Sequence, residues 1–562
     1  MLKPGWLVLS LALLSIGGLP AAAQAAEALV NTGSPRTPFP QNKQNEPTVA
    51  IDPTNPSVLV AGSNDEIDLA ACNGGDCPFT PGVGVSGVYF SFDGGASWTQ
   101  PTYQGWSART GTPGVGPIGT LPHYFEAGLV SDGDPVTVFG PRPDASGHFS
   151  WSNGSRVYYS NLTSNFATER KDQTFKGFEA IAVSHTDNPV AAAASDASVW
   201  SNPAIVTERR QSSTTFSDKS TMWVDNAASS PRFGTAYVCY TQFRSQQDTG
   251  PEKIAVSHST DGGDTWTRPI TLSSAFDNPK HPGRQGCSIR TDSKGTVYAV
   301  WEDQKKGSVF LLSRSTDGGN KFGKAQTIAN VTDVGAFDGV QSISFDGIAG
   351  SRTSSFPSLE IANGAPTGAG APDTLAVGWS DGAGGLNNEH ALVQLSSDGG
   401  QSWTSPTQVE EPGDRPDFAF IGISPNGRDL YVVYDGFTDP FRTDTTSTRN
   451  FAGVTRHADV SGTSLSGLAT LDRGSVGDAR ASSSNALIDE FLGDYNTVAA
   501  TNSGAVSVFN DARNAAVCPA INAFRQAVFD GTAGDPPAPA TDCPPAFGNT
   551  DIFSAAVTDP SP

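Results

Sequence analysis

The chain has 562 residues, with 61 glycines and 40 prolines, long enough for a large buried core and rich in residues that turn a chain back on itself. Its 35 basic and 57 acidic residues leave a net charge of −22. That balance repels phosphate backbones and anionic membrane surfaces, so nucleic acid and membrane are not expected as partners.

Residues 1–25 read as a secretory signal: Lys3 supplies the positive end, Trp6 to Leu14 the apolar core, and Ala21 to Ala26 the small-residue region, with cleavage after Ala23 or Ala25. No later stretch is apolar for the length a membrane helix needs. The mature protein is therefore expected outside the cell or in the periplasm, as a monomer. Six cysteines, an even number, fit an oxidising compartment. Cys72 and Cys77 close a small loop, and Cys518 and Cys543 flank a Pro-rich stretch. Proximity then pairs Cys239 with Cys287, although sequence leaves other pairings open. No C-x-x-C or histidine pair accompanies them, which argues against zinc at the cysteines. No cofactor is expected; the acidic surplus leaves structural Ca²⁺ open, but no EF-hand or RTX pattern is present.

Residues 26–44 form an extended lead-in without periodicity, and a single domain is expected over 45–562. Alternating apolar runs then recur as inner and second strands of a repeating unit. The pairs begin at Pro47 and Val58, Pro135 and Val157, Thr221 and Ala236, Cys287 and Val297, Phe356 and Leu375, Phe418 and Leu430, and Tyr495 and Ala505. A third strand follows in each unit, and the last is placed at Ile552 to Val557. The region of about 511–550 between is read as a loop insertion tied by Cys518 and Cys543. No segment with helical periodicity is expected after the signal.

Four units carry the same eight-residue turn: Ser91 to Trp98 (SFDGGASW), Ser259 to Trp266 (STDGGDTW), Ser315 to Phe322 (STDGGNKF) and Ser396 to Trp403 (SSDGGQSW). The aspartate accepts from turn amides, the paired glycines supply positive φ, and the aromatic plugs the turn. Ser184 to Asn188 is a decayed copy. A fixed pattern at unit spacing marks a repeat protein.

The pattern S-x-D-x-G-x-x-W is the Asp box, and in carrying it the chain resembles the sialidase-like superfamily of secreted Asp-box (BNR) β-propellers. The resemblance implies an all-β propeller of four-stranded blades, with the boxes between third and fourth strands. Seven strand pairs argue for seven blades, six being the alternative that sialidases of this superfamily would suggest. Because the box lies on the blade periphery in such propellers, it speaks for fold rather than for activity.

Strand alternation places the starts of inner strands and the ends of second strands on one face. The starts carry Glu46, Asp134, Lys219, Arg284, Arg352, Arg415 and Asp494. The ends carry Asp65, Glu66, Arg244, Glu302, Asp303, Asp381, Asp435, Asp511 and Arg513. The recurrence of aspartate at strand ends suggests a structural task, because a catalytic residue is needed once. Guanidiniums from neighbouring blades can converge on a carboxylate. The resemblance implies an arginine triad, a Tyr–Glu nucleophile pair and an Asp acid/base. By position these fall on Arg284, Arg352 and Arg415, on Tyr495 with Glu46 or Glu490, and on Asp134 or Asp65. The Arg-Ile-Pro motif that carries the first arginine of such triads is absent, since blade 1 opens Asn45-Glu46-Pro47-Thr48. The expectations are thus a glycan-active hydrolase of sialidase type, a non-catalytic propeller binding a glycan or protein, or a polysaccharide lyase.

Overall fold

The computed structural model describes residues 26–561 except 36, 38, 40–41, 73, 75–76, 208–211, 245–251, 274–283 and 305–307; the signal segment and its cleavage points lie outside the described residues. The chain is a seven-bladed β-propeller. Its inner strands are Gln44–Ile51, Val136–Pro143, Phe216–Val224, Arg284–Thr291, Ser358–Ile361, Arg415–Ile423 and Thr497–Ala500, and each pairs antiparallel with the next strand in sequence. In blade 1 the outermost strand has shrunk to the bridge between Phe90 and Thr99.

The lead-in is where the expectation fails. Ala26–Leu29 pairs antiparallel with Asp551–Thr558, with Ala26 opposite Ala556 and Leu29 opposite Phe553. The chain's first strand is thus the outer strand of its last blade, and the ring is closed by hydrogen bonds between the two ends. The insertion of blade 7 also differs from a plain loop: it holds a helix, Pro519–Phe529. Cysteine pairing follows proximity, with disulfides Cys72–Cys77, Cys239–Cys287 and Cys518–Cys543; the second ties the second strand of blade 3 to the inner strand of blade 4.

The core is divided among the seven junctions between neighbouring blades. Val88, Tyr159 and Ala182 fill the wedge between blades 1 and 2, Tyr158, Val183 and Val238 the next, and Tyr237, Val256 and Ile289 the third. The pattern continues round to Tyr89, Val508 and Ile552, which join blade 7 back to blade 1. Burial of both faces explains why the middle strands, such as Val297–Asp303, are buried at every residue.

All four boxes adopt one geometry. In the first, Ser91 Oγ donates to Asp93 at 2.8 Å, Gly95 N to Ser91 Oγ at 2.9 Å and Ser97 N to Asp93 at 2.9 Å; the other three repeat these bonds. Gly94 and Gly95 take φ of 77° and 91°, values that cost a side chain steric strain. The aromatic does more than cover its own turn. Trp98 packs in the junction with blade 7 and donates its indole N–H to Ser554 Oγ at 2.9 Å; Trp266, Phe322 and Trp403 likewise pack towards the preceding blade. Trp98→Ala should therefore loosen ring closure and lower stability by about 3–5 kcal/mol in urea unfolding; a loss below about 1 kcal/mol would mean the indole is not a junction residue.

Candidate functional site

The two faces of the disc differ. The boxes occupy one. On the other, the connections lengthen and pack on one another: Phe39, Leu487, Ile521 and Phe547 bury against the Cys72–Cys77 and Cys518–Cys543 disulfides. This built-up face surrounds the axis, where the inner strands enclose a cavity of about 410 Å³ lined from every blade, by residues including Thr48, Asp134, Lys219, Phe356, Phe420 and Tyr495.

Inner strands reach the axis through a recurring irregularity. The register slips between Asn45 and Thr48, Asp218 and Thr221, Gln285 and Ser288, and Asp417 and Phe420. Each slip is a β-bulge, which bends the strand and re-aims a side chain. The bulged residues are Glu46, Lys219, Gly286 and Phe418, with φ of 56°, 50°, 59° and 48°; Asp134, just before the inner strand of blade 2, has φ 49°. Left-handed backbone at three charged residues costs energy that the surroundings must offset, and such strain gathers at functional sites.

Those three charges meet Asp494. Arg352 donates to both Asp494 oxygens, from Nε at 2.8 Å and from NH2 at 2.6 Å, while Lys219 Nζ also binds Asp494. Lys219 Nζ lies 4.0 Å from Asp134 and Arg352 NH2 3.7 Å from Glu46. Glu46 is 1% exposed and accepts from Asn64 at 2.8 Å. Gly493 permits the approach, since a Cβ there would stand 2.6 Å from Glu46 Cγ. The guanidinium of Arg352 stacks on Phe491 at 4.7 Å and its side chain is 41% exposed, so it forms the open rim.

The environments drive these carboxyls apart. Burial and the neighbouring Asp494 charge raise Glu46; burial and Glu46 raise Asp134 well above the ordinary range. Their mutual interaction raises Asp134 further and partly offsets the rise of Glu46. Burial also raises Asp218, to about 7. Asp494 goes the other way: burial opposes its charge, but Arg352 and Lys219 outweigh it and hold the pKa low. Tyr495 has its hydroxyl 3.5 Å from Pro135 O; burial, then Asp134 and Glu46, raise it well above 10.0.

Of the residues expected from sequence, Glu46, Asp134, Arg352 and Tyr495 come together in one cluster, from which Asp134 and Tyr495 line the cavity. Arg415 does not. It binds Glu389 in bidentate fashion, both bonds 2.9 Å, caps Phe345 O at 2.8 Å, and is 5% exposed; it is a strut between blades. The Arg284 side chain lies outside the described residues. The alternatives also fall away: Glu490 is bound by Arg449 at 2.8 Å, and Asp65 accepts from Gln44, Tyr89 and Gln100. The other strand-end aspartates find local donors, as Asp381 does from Trp379 and Ala383. Asp494 and Lys219 stand among the inner-strand starts in sequence, but their convergence on one ion pair is not visible there.

Two straps carry Arg352 and Asp494, and one residue joins them. Arg449, buried to 1%, donates to Ile348 O and to Glu490 Oε1, each at 2.8 Å, and to Asp444 O at 3.0 Å. Glu490 N in turn reaches Ala349 O at 3.2 Å. From the insertion helix, Arg525 donates to Asp489 O at 2.8 Å.

No family model matches the chain, and no curated protein is similar to it. Solved structures of similar architecture include a variant of an α-L-arabinofuranosidase from Fusarium graminearum (12% identity, 78% of this chain and 95% of that one, TM-score 0.39). An α-L-arabinanase from Penicillium chrysogenum gives 13% identity, 74% and 94% coverage and a TM-score of 0.41. A Trypanosoma rangeli sialidase gives 11%, 74% and 58%, and 0.38. At that identity and score the likeness says nothing of substrate.

Removing Arg449 leaves Glu490 buried with only the longer contact to Arg525, at 3.9 Å. Arg449→Met should cost about 3–5 kcal/mol in thermal or urea unfolding, and Arg449→Lys should rescue less than half of it, because an ammonium cannot span three acceptors in the guanidinium plane. Full rescue by lysine would show that charge alone is required.

Proposed function

We propose that the chain is a secreted glycoside hydrolase whose reaction takes place at the axial mouth. The observation that carries this reading is a buried carboxyl pair beside the cavity: Asp134, raised well above the ordinary range, lines it with Tyr495, and Glu46, also raised, is linked to Asp134 and to the Arg352–Asp494 pair. Groups whose environments push their pKa values apart make an acid and a base. In this scheme Asp134 delivers its proton to the departing glycosidic oxygen. Tyr495 attacks the anomeric carbon as its phenolic proton passes to Glu46, and water then releases the sugar with the proton movements reversed. Lys219, Arg352 and Asp494 fix the field around both carboxyls. Arg352, partly exposed, is placed to meet an acidic group of the sugar.

A non-catalytic glycan-binding role is the second reading. It is favoured by Asp494, whose oxygens are already satisfied by Arg352 and Lys219, an arrangement complete without substrate.

The test is product release from aryl glycosides and acidic and neutral oligosaccharides by the mature protein. Asp134→Asn should reduce kcat by about 10²–10⁴-fold, and Tyr495→Phe should abolish the covalent step. A general acid works only while protonated and its base only while ionised. Activity should therefore fall at high pH as Asp134 loses its raised proton, and at low pH as Glu46 takes one, at a point above its ordinary 4.5. Glycan binding without turnover would establish the second reading, an unsaturated uronate product would mean a lyase, and unchanged turnover in both variants would sink the site.

A further inference from the structure

Remote from the axis, on the box face, three junctions share a device. Arg156 of blade 2 binds Asp187 at 2.7 Å and reaches Gly262 O of blade 3 at 2.8 Å. Arg232 of blade 3 lies against Gly318 of blade 4, with Nε 2.8 Å from where a Cβ would stand. Arg314 of blade 4 donates to Gly399 O of blade 5 at 2.7 Å. A Tyr–His pair accompanies two of these guanidiniums: Tyr158 with His185, and Tyr237 with His258, each at 6.1 Å between ring centroids.

The pair recurs between blades 6 and 7 as Tyr431 and His457, 5.2 Å apart, but the guanidinium does not. Instead His457 Nε2 faces two carboxylates, Asp429 at 3.3 Å and Asp559 at 3.9 Å. Among the described residues neither aspartate forms an ion pair with lysine or arginine. The three donor atoms lie within 4.8 Å of one another, and His457 is 1% exposed. The buried hydroxyl of Tyr431 has no hydrogen-bond partner and sits in the field of both carboxylates. Asp559 is held in place: its amide donates to Ser503 O at 3.0 Å, and its Oδ1 accepts from Ser561 N at 2.8 Å.

We propose that Asp429, His457 and Asp559 bind a divalent transition-metal ion of the Zn²⁺ class, which ties the end of the last strand to blade 6 where other junctions use arginine. The spacing suits it. Donors about 2.0 Å from a tetrahedral zinc stand roughly 3.3 Å from each other; His457 and Asp429 already have that separation, the other contacts lie within 4.8 Å and need to close by at most about 1.5 Å, and the Tyr431 ring stands 5.2 Å from the imidazole. An imidazole with two carboxylates selects against Ca²⁺, which takes six or more oxygens.

The experiment uses the mature protein without an affinity tag, stripped by chelator and titrated with Zn²⁺ in a calorimeter and in thermal unfolding. One Zn²⁺ per chain should bind and raise Tm with concentration. His457→Ala should weaken binding by about 100-fold or more. Asp559→Asn, beyond the last strand and harmless to the ring, should weaken it by at least about tenfold. Absence of stoichiometric binding, unchanged affinity in Asp559→Asn, or an equal response to Ca²⁺ would overturn the proposal. None of these readouts depends on glycan cleavage.

Discussion

Each blade of this protein buries both faces of its sheet, and it can do so only against another blade. A row of such sheets always leaves an apolar face open at each end until it closes into a ring. That constraint explains why Ala26–Leu29 crosses to the far end of the chain to pair with Asp551–Thr558, and why Trp98 reaches from blade 1 into blade 7. Closure also removes the exposed sheet edges that so much β structure would otherwise present. Because the core is shared among seven wedges, no single cluster dominates, and the junction joining first and last blades holds all the others in place.

Closing the ring leaves a hub that inner strands can line but not fill. The charges at its mouth obey a simple balance. Lys219 and Arg352 bring two positive charges, Asp494 one negative, and Glu46 and Asp134 one negative between them when they share a proton. Taking charge out of water is costly unless it is paired, so a neutral set is the one the buried mouth favours. Charge balance thus works with burial to favour one proton shared by the Glu46 and Asp134 pair. Asp218, raised to about 7, follows the same rule, since a further negative charge would unbalance the group.

The repeating architecture was legible because it is written locally. Alternation such as Val297-Tyr298-Ala299-Val300-Trp301 and the Ser-x-Asp-x-Gly turns need no distant partner to be recognised, and the three disulfides follow from proximity. Ala26–Leu29 was not legible: four residues of Ala-Glu-Ala-Leu have no period, and their partner strand is at the opposite terminus. The helix Pro519–Phe529 was hidden because a single helical stripe in a Pro-rich insertion resembles loop. Around the axis, the charged residues that converge do stand at inner-strand starts, but the bulge decides which side chain is aimed inward. Glu46 and Lys219 occupy the bulged position itself. Arg415 stands three residues before Phe418, which holds that position in blade 6, and so turns to Glu389 instead. No pattern in the sequence marks that difference.

The same register argument makes the hub lopsided. The left-handed position carries Glu46 and Lys219 in blades 1 and 3, with Asp134 beside the inner strand of blade 2, but Gly286 and Phe418 in blades 4 and 6. Charge therefore gathers over blades 1 to 3 and 7, while Phe356 and Phe420 border the cavity on the other side. Arg352 belongs to blade 5 and reaches the charged side only because a strap carries it there. That strap and the one bearing Asp494 are held together by Arg449, Glu490 and the helix through Arg525. A buried ionic cage is a poor source of stability compared with apolar packing, but its directional bonds fix where two flexible connections lie. The insertions on this face thus do for the cluster what the seven wedges do for the ring: they turn a repeating scaffold with no preferred blade into one off-axis position where buried carboxyls and a guanidinium meet.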